Sequence, residues 1–310
     1  MRILFWGTPE FAAPPLRAIL GEGHDVIGVV TQPDRPQGRS RSTLVPSPVK
    51  VIALEEGIPV YQPEQPRDPA FLETVRALAP ELSVVVAYGH IISRALIELP
   101  TFGTWNIHAS LLPRWRGAAP IQAAILAGDE ESGVTIMRMV PRLDAGPILL
   151  QAPTPVMPDE TGGELTERLS ELGALALIEA LTLASLGNVL AERPQDETHV
   201  TYAAKLDREA ARIRWNTPAI EVARAVRAFD PRPGAWTTLR GLDTRITGVT
   251  VVPDASGEPG TILAIEEHGA LVACGAGAVR IGYLQPAGKR RMAALDLAQG
   301  RQLVVGDLLA

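Results

Sequence analysis

Cysteine is almost absent from this sequence, and its scarcity limits the chemistry available to the chain. Cys274 is the only cysteine among 310 residues. A single thiol makes no internal disulfide and no cysteine-cluster metal site, and its ordinary role is that of a small buried apolar residue. The single cysteine therefore suits a protein of the reducing cytoplasm and argues against a cysteine-cluster metal site.

Long hydrophobic runs are missing as well. No stretch approaches the roughly 18 consecutive apolar residues that a membrane-spanning helix needs. The first run, MRILFW, is interrupted at Gly7 and Pro9, so it is shorter than the apolar region of a signal peptide and is better explained as a buried strand. We therefore expect a soluble protein that is not bound to a membrane.

A strong excess of one charge is absent from the whole chain but not from its parts. The net charge is −6, yet residues 208–310 contain 13 Lys and Arg against 10 Asp and Glu, which leaves −9 for residues 1–207. Because phosphates are bound by Lys and Arg, this asymmetry is compatible with a polyanion at the second part. The same asymmetry also arises by chance.

The first half alternates short apolar runs with segments of helical periodicity. Apolar runs at 2–6, 25–32, 82–89 and 103–110 predict strands, and segments such as 47–56 have helical spacing. The alternation predicts an α/β fold, an open Rossmann-like and mostly parallel sheet with helices on both faces. Ligands of such sheets bind beyond the carboxyl ends of the strands, so polar residues at those ends are the first candidates for chemistry.

The second half changes character. A long helical pattern at 163–187 ends at a glycine, a polar segment follows, and the remaining sequence has short β-like runs separated by glycines. We therefore predict a catalytic domain at 1–189, a linker at 190–207 and a small, OB-like β-barrel domain at 208–310. No cysteine pattern or heptad indicates an oligomer, so we expect a monomer.

A glycine-rich dinucleotide fingerprint does not follow the first strand. The fingerprint G-x-G-x-x-G lets the backbone approach a pyrophosphate, whereas the turn here reads G-T-P-E-F, with Pro9 and Phe11 in the way. The sequence therefore argues against a nicotinamide-dependent enzyme.

Three polar side chains are candidates for catalysis. Asn106 and His108 are two residues apart in a predicted strand, so they lie on the same face, about 7 Å apart at a rise of ~3.3 Å per residue. Asp144 precedes a glycine and the next apolar run, a turn position from which a carboxylate can reach back to the imidazole. We expect the three groups to converge, and a histidine buried for structural reasons is the alternative.

Such a set suits the transfer of an acyl group to an amine. Attack on the acyl carbon builds negative charge on its oxygen, which a fixed amide or imidazole N–H stabilises by about 3 kcal/mol per donor. The attacking nitrogen must lose a proton, which a positioned His or Asp accepts. The three residue types therefore predict acyl transfer without a metal.

Ordered motifs along nearly the whole chain carry a resemblance to a known family. They are G-T-P-E-F-A, T-Q-P-D-R-P-x-G-R, P-S-P-V-K, V-V-A-Y-G, N-I-H-A-S-L-L-P-R-W-R-G-A-A-P-I, L-D-A-G-P-I, R-A-F-D-P-R-P-G-A-W and L-Q-P-A-G-K. Through them the sequence resembles the methionyl-tRNA formyltransferases. The shorter N-x-H with a later D is less specific, because it resembles every folate-dependent formyltransferase, including the enzymes of glycinamide ribonucleotide and of nucleotide sugars.

By this resemblance, 10-formyltetrahydrofolate is the formyl donor. Asn106 and His108 would hold the formyl oxygen, while Asp144 would orient His108 and help to move the proton. The implied folate-binding residues are Ser110, Leu111, Leu112 and Pro113 of one loop, together with Val85, Val86 and Ala87 at a strand end. The last three are also explained as plain sheet core.

The resemblance also implies that the acceptor is the methionine of initiator tRNA. Residues 31–50 form a Pro-, Gly- and Ser-rich loop that is too long for a simple connection and matches the family's tRNA-contacting insertion. The residues predicted to contact tRNA are Arg35, Arg39, Arg41 and Lys50 of this loop, with Arg41 foremost, and Lys289 and Arg290 of the second domain. A solvated flexible loop is the alternative.

Two other functions stay open on the sequence. A folate-dependent formyltransferase acting on a small amine, such as an amino-sugar nucleotide, would share the chemistry but would need neither the basic loop nor a basic second domain. A catalytically idle RNA-binding module would have no reason to keep Asn106, His108 and Asp144 together. We therefore predict formylation of initiator methionyl-tRNA for the initiation of protein synthesis.

Overall fold

The fold is given by a computed structural model that describes residues 1–37, 43–186 and 191–310. The chain divides by its internal contacts into two compact units. The first unit contains Met1–Pro120, Glu131–Pro155 and Thr166–Ala203, and the second contains Ile121–Glu130, Val156–Leu165 and Ala204–Ala310.

The first unit is built on a seven-stranded sheet. The strands of the whole unit, including four outside this sheet, are in chain order β1 (Arg2–Gly7), β2 (Asp25–Val30), β3 (Arg35–Gln37), β4 (Thr43–Val45), β5 (Val60–Tyr61), β6 (Leu82–Val86), β7 (Thr104–His108), β8 (Arg116–Gly117), β9 (Glu131–Arg138), β10 (Ile148–Pro155) and β11 (Tyr202–Ala203). The sheet has the order β10-β9-β7-β6-β1-β2-β5, while β3 pairs with β4 and β8 with β11 in separate two-stranded ribbons.

The order of the strands creates the place for a ligand. Strands β7, β6, β1, β2 and β5 are parallel, and β9 and β10 add to one edge as antiparallel strands. The chain leaves the central β1 first towards β2 and later returns to its other side with β6, so the carboxyl ends of β1 and β6 flank a crevice. The predicted Rossmann-like, mostly parallel sheet is confirmed.

Helices occupy most connections between these strands. They are α1 (Ala13–Gly21), α2 (Pro48–Glu55), α3 (Pro69–Leu78), α4 (Arg94–Glu98), α5 (Pro120–Ala127) and α6 (Gly162–Ser185). Local sequence explains their starts: Ser47 and Asp68 accept hydrogen bonds from the backbone amides of Lys50 and Ala70, and a proline follows each of these caps. Among the described residues, no helix is both long and apolar enough to cross a membrane.

The core of the first unit follows from the alternation along its strands. Leu4 and Trp6 point to one face of β1, where they pack with Val75 of α3 and Leu96 of α4. All four are almost completely buried, and burial of an aliphatic side chain of this size contributes roughly 1.5 to 3 kcal/mol. This packing fixes β1, β6 and β7 as a rigid base for the residues at their carboxyl ends.

The largest part of the second unit, Ala204–Ala310, is an antiparallel sheet with two α-helices. Its elements are α7 (Ala219–Phe229), β12 (Trp236–Leu239), β13 (Leu242–Val252), β14 (Ile262–Glu266), β15 (Gly269–Ala273), β16 (Ala278–Pro286), β17 (Met292–Ala293) and α8 (Ala294–Gln299). The main path is β12-β13-β16-β15-β14, and β17 pairs with β16. The short glycine-separated runs of the sequence are therefore confirmed as strands.

The two edges of this sheet are bridged by residues 306–310. The backbone of Thr238 exchanges hydrogen bonds of 2.7 and 3.0 Å with Ala310, and the amide of Ile262 donates to the carbonyl of Asp307 over 2.9 Å. These bonds connect the edge strands β12 and β14 through one short segment. Full closure into an OB-like barrel stays a prediction.

Residues 192–203, predicted as part of a linker, have definite partners in the first unit. Arg193 exchanges backbone hydrogen bonds with Ile148 at the start of β10, and β11 pairs in parallel with β8. The polar composition of this segment gives no indication of these contacts.

Candidate active site

The carboxyl end of β7 carries the first two candidate residues. Asn106 pairs with Val85 of β6 on one side and with Met137 of β9 on the other, so its backbone is held by two neighbouring strands. His108 ends the strand opposite Thr135, and its side chain is only 6% exposed. The central position of β7 therefore fixes both side chains at the edge where ligands of such sheets bind.

Both ring nitrogens of His108 face oxygen atoms. Its Nε2 lies 2.9 Å from the carbonyl oxygen of Trp115, and its Nδ1 lies 3.8 Å from Oδ2 of Asp144. A carbonyl only accepts hydrogen bonds, so Nε2 is the donor in the first contact. The second distance is that of an ion pair and is too long for a hydrogen bond. The ring thus has a carbonyl oxygen on one side and a carboxylate on the other.

Asp144 lies in the turn between β9 and β10 and is held from two directions. The backbone amide of Gly117 donates to Oδ2 of Asp144 over 2.9 Å, and Nε2 of Gln195 donates to its carbonyl oxygen over 2.8 Å. Its side chain is 14% exposed, and its φ of 45° is in the left-handed region that non-glycine residues rarely adopt. Such conformations persist where surrounding contacts enforce them, and they concentrate at functional sites.

A glycine makes this turn possible. A Cβ on Gly146 would lie 1.7 Å from the carbonyl oxygen of Arg138 in β9, so no other residue fits the close approach of the turn to the strand. The sequence D-A-G-P thus brings the carboxylate of Asp144 to His108. The distance from Nδ1 of His108 to Oδ2 of Asp144 is 3.8 Å, and the convergence of Asn106, His108 and Asp144 on one reacting atom stays a prediction.

The strand-end residues predicted to wall the pterin differ among themselves. Val85 and Val86 are buried within β6, whereas Ala87, directly after the strand, is exposed and has a φ of 47°. Left-handed geometry at an exposed alanine is unusual and turns its main chain away from the line of the strand. Of the three, Ala87 is therefore the one that offers exposed surface beyond the strand end.

Only some side chains of the loop after β7 are accessible at the surface. The hydroxyl of Ser110 donates to the carbonyl of Arg114 over 2.7 Å, and Leu112 packs with Met137 and Ile148 in a small apolar cluster. Leu111 and Pro113 are half-buried. The side chains of Ser110 and Leu112 thus stabilise the loop, and Leu111 and Pro113 remain available to a ligand.

Thr135 of β9 stabilises the same loop. Its hydroxyl donates to the carbonyl of Ser110 over 2.7 Å and accepts from the amide of Leu112 over 3.1 Å. Gln151 of β10 donates to the carbonyl of Leu112 over 2.9 Å. The antiparallel edge of the sheet therefore shapes the loop that follows the catalytic strand.

The basic loop residues have unequal surroundings. Arg35 is exposed and donates to Gln32 over 2.6 Å. The side chain of Lys50 is 19% exposed, and its ammonium contacts Asp34 at 2.6 Å and Gln62 at 2.8 Å. The hydrogen bond from Lys50 to Asp34 is the main reason why the pKa of Asp34 is lowered. Arg39 and Arg41 lie outside the described residues.

The basic residues predicted in the second domain are at its surface. Lys289 and Arg290 are exposed in the turn after β16, and Nζ of Lys289 donates to Gln302 over 2.7 Å. The neighbouring Arg291 lies over the ring of Tyr283, with 4.5 Å from its guanidinium carbon to the ring centre. Three consecutive cations on one turn form a surface suited to phosphate contacts.

Several residues that shape the site were not assigned a role on sequence grounds. Arg116 and Gly117 belong to the quoted R-W-R-G motif, so a signal for them was present. Thr135 lies in an ordinary strand pattern, and Gln195 lies in the polar segment predicted as a linker. For these two, no local pattern indicates that they contact the catalytic region.

The donor set in this region contains no evident metal centre. Among residues 1–37, 43–186 and 191–310, no group of three or more His, Cys, Asp or Glu side chains is arranged to hold a metal ion.

Structural similarity agrees with this picture of the fold. HypX from Aquifex aeolicus, solved in complex with tetrahydrofolic acid, matches with a TM-score of 0.68 at 20% identity over 98% of this chain, although the chain spans only 48% of that protein. The N-formyltransferase from Helicobacter canadensis, solved with folinic acid and dTDP-3-aminofucose, matches with a TM-score of 0.69 at 17% identity over 94% of this chain and 100% of that chain.

Sequence similarity is much closer. A methionyl-tRNA formyltransferase of Stenotrophomonas maltophilia is 50% identical over 303 residues, which is 97% of this chain and 98% of the relative. The enzyme of the same name from Methylococcus capsulatus is 51% identical over 304 residues, 98% of each chain. The formyl transferase model matches residues 1–181, and the model of the formyl transferase C-terminal domain matches residues 205–302. On these matches, which cover most of the sequence, the chain belongs to the formyl transferase family.

Proposed function

We propose that this protein transfers the formyl group of 10-formyltetrahydrofolate to the α-amino group of methionine on initiator tRNA. The observation that carries the proposal is the placement of Asn106 and His108 at the end of β7, with the carboxylate of Asp144 3.8 Å from the imidazole. The names of relatives that are about 50% identical over nearly the whole chain support the acceptor.

The chemistry uses a small number of proton donors and acceptors. The amine attacks the formyl carbon, a new C–N bond forms, and the bond from that carbon to N10 of the folate breaks. The amine loses one proton and N10 gains one, so no oxidant, reductant or metal is consumed. Negative charge develops on the formyl oxygen, and a preorganised donor there is worth about 3 kcal/mol.

Each of the three side chains has a role in this scheme. Asn106 and His108 donate hydrogen bonds to the formyl oxygen, and Asp144 stabilises the positive charge of the His108 ring and helps the proton to leave the amine. The carbonyl of Trp115 keeps a proton on Nε2 of His108, 2.9 Å away, so the imidazole is oriented before the reactants arrive. Fixed donors cost no reorganisation during the reaction.

The residues beyond β6 and β7 fit a folate. Ala87 is exposed and left-handed at the end of β6, and Leu111 and Pro113 are half-buried in the loop after β7. Together they provide main-chain polar groups and apolar side chains beside the catalytic residues, a combination typical of small-molecule sites. These positions are supported by four buried neighbours, Val85, Val86, Ser110 and Leu112.

The tRNA contacts are made by basic side chains. They are Arg35, Arg39, Arg41 and Lys50 of the basic loop and Lys289 and Arg290 of the second domain, and Lys50 also contacts Asp34 and Gln62. Phosphate contacts of this kind position an RNA without reading its bases. We further propose that the protein acts in the cytoplasm as a monomer, with the boundaries 1–189, 190–207 and 208–310 separating catalysis, linker and tRNA contact.

The decisive experiment compares acceptors with one donor. Formyl transfer from 10-formyltetrahydrofolate is measured with methionyl initiator tRNA, with methionyl elongator tRNA and with an amino-sugar nucleotide. Selective transfer to the initiator tRNA supports both donor and acceptor. Transfer to the sugar alone keeps the chemistry of Asn106, His108 and Asp144 but overturns the role of the basic residues.

A further inference from the structure

Residues 193–203, here named the crossing segment, contact the loop that follows β7 and the turn that contains Asp144. Arg193 pairs with Ile148 beside the turn of Asp144. The hydroxyl of Thr201 accepts from the amide of Trp115 over 2.8 Å, and the carbonyl of Trp115 in turn binds His108. The crossing segment therefore supports the partners of both His108 and Asp144, although it contributes no strand to the main sheet.

Gln195 is the best-connected residue of the crossing segment. Its Nε2 donates to the carbonyls of Asp144 and Gly146 over 2.8 and 2.7 Å. Its Oε1 accepts from Nε and Nη2 of Arg116 over 2.9 and 2.7 Å. A glutamine amide has two donor hydrogens and two acceptor lone pairs, so every one of them is used. Such saturation fixes the orientation of the amide.

Arg116 gives this contact its rigidity. Its side chain is 0% exposed, and its guanidinium also binds Glu197 of the crossing segment at 2.9 Å. The next residue, Gly117, uses its backbone amide to hold the carboxylate of Asp144. The short strand β8 therefore holds Asp144 in two ways. The amide of Gly117 binds its carboxylate, and the side chain of Arg116 holds Gln195, which binds the backbone of the turn.

The turn needs such support. Asp144 has a φ of 45°, which is strained for a residue with a Cβ, and its carboxylate approaches His108 only at 3.8 Å. Without the two bonds from Gln195, a relaxed turn would move the carboxylate by some fraction of an ångström. Displacements of about 1 Å in catalytic groups cost roughly 100-fold in rate.

We infer that Gln195, held by buried Arg116, is a positioning residue that keeps Asp144 in its catalytic orientation. It acts on the reaction only through Asp144. The inference rests on the proposed function, because that function makes Asp144 a catalytic group.

Two substitutions separate positioning from simple stability. Gln195→Ala removes all four hydrogen bonds. Gln195→Glu keeps an acceptor for Arg116 but replaces both donors by a carboxylate that faces two carbonyl oxygens. We expect kcat to fall about 10- to 100-fold in both variants, with KM for the folate and for the tRNA within twofold of the wild type. A purely structural role through Arg116 would leave Gln195→Glu nearly normal.

A double-mutant cycle with Asp144 provides a second readout. Asp144→Asn keeps the shape of the side chain but removes its charge. If Gln195 acts through Asp144, adding Gln195→Ala to Asp144→Asn should lower kcat by no more than about twofold, although the same change is costly in the wild type. Full additivity of the two losses would assign Gln195 a general structural role and overturn the inference.

A matched control tests the rest of the crossing segment. Asp196 adjoins Gln195 but is exposed, and its carboxylate contacts the neighbouring Thr198 and His199; the amide of Thr198 donates to it over 2.9 Å. Asp196→Ala should therefore retain normal kcat. A loss in this variant equal to that of Gln195→Ala would show that any disturbance of the segment is sufficient, and would overturn the inference.

The outcomes also distinguish this inference from the proposed function. If the wild type formylates neither tRNA nor a small amine, the proposed function fails. If the wild type is active and Asp144→Asn is not, but Gln195→Ala turns over normally, only the positioning role fails.

Discussion

The candidate catalytic residues of the first unit and the basic residues of the second unit have opposite surroundings, as their proposed roles require. His108 is 6% exposed and has an oxygen partner at each ring nitrogen. Lys289 and Arg290 are exposed on a turn. A group that stabilises developing charge must be fixed and partly desolvated, because its interactions are strongest in a dry, preorganised site. A cation that binds RNA phosphate must stay at the surface, where its contribution depends on salt.

Lys50 shows that residue type alone does not decide between these two roles. On sequence grounds it belongs with the basic loop, yet its ammonium is paired with Asp34 and Gln62 and is only 19% exposed. A lysine in this position has to exchange or share these partners when it contacts a phosphate, so its role in tRNA binding stays a prediction.

The comparison predicts its largest effect at His108. His108→Ala should lower kcat about 100-fold or more while the protein stays folded, because a donor to the developing charge is lost. The measurement is single-turnover formylation of methionyl-tRNA. His268→Ala, which removes an exposed histidine of the second unit, is the control and should have normal kcat. A near-normal rate for His108→Ala would end its assigned role.

The next effect concerns stability in the buried part of the site. Arg116→Ala should lower the free energy of unfolding by about 3 kcal/mol, because it leaves a cavity and unpaired groups where a fully buried guanidinium stood. Arg94→Ala, which breaks an exposed pair with Glu98, should change it by less than about 1 kcal/mol. Urea unfolding measures both, and equal losses would remove the contrast between buried and exposed cations.

For the basic loop, binding should change without any change in chemistry. Arg41→Ala should raise KM for the tRNA several-fold and reduce the slope of log K against log salt by about one, with the KM for the folate unchanged. Formylation assays over a range of salt concentrations measure this. An unchanged requirement for tRNA would exclude Arg41 from the interface.

At the surface of the second unit, the expected effect is smaller still. Lys289→Ala and Arg290→Ala should each raise KM for the tRNA about two- to threefold, again with a salt slope reduced by about one. Their kcat should not change, because neither residue belongs to the catalytic group. A fall in kcat in either variant would contradict the assignment of these residues to tRNA binding alone.

A pH effect sharpens the comparison within the first unit. The pKa of Glu197 lies below its ordinary value of 4.5, mainly because of the hydrogen bond from Arg116. The hydrogen bond from Arg142 lowers the pKa further, whereas desolvation acts in the opposite direction. A lowered folded pKa means that the stabilisation is fully present above the unfolded pKa and is lost as the pH falls through the folded pKa. As the pH falls below about 4.5, the urea concentration at the unfolding midpoint should therefore decrease more steeply for the wild type than for Glu197→Gln.

The relative placement of the candidate residues was easier to predict from the sequence than the groups that hold them. Asn106 and His108 share one strand, so alternation alone places them on one face. The approach of Asp144 to His108 depends on a left-handed turn and on the missing side chain of Gly146. Gln195 gave no local signal at all, since a glutamine in a polar segment is ordinary.

The sequence by itself determined the strands and helices of the sheet, the residue types at the carboxyl end of β7 and the excess of basic residues after position 208. These features are local, because hydrophobic periodicity and strand alternation act over a few residues. Only the tertiary structure decided that Arg116 contacts Gln195, 79 positions away, and that Lys50 contacts Asp34. Such contacts depend on the path of the whole chain, and no short pattern contains that path.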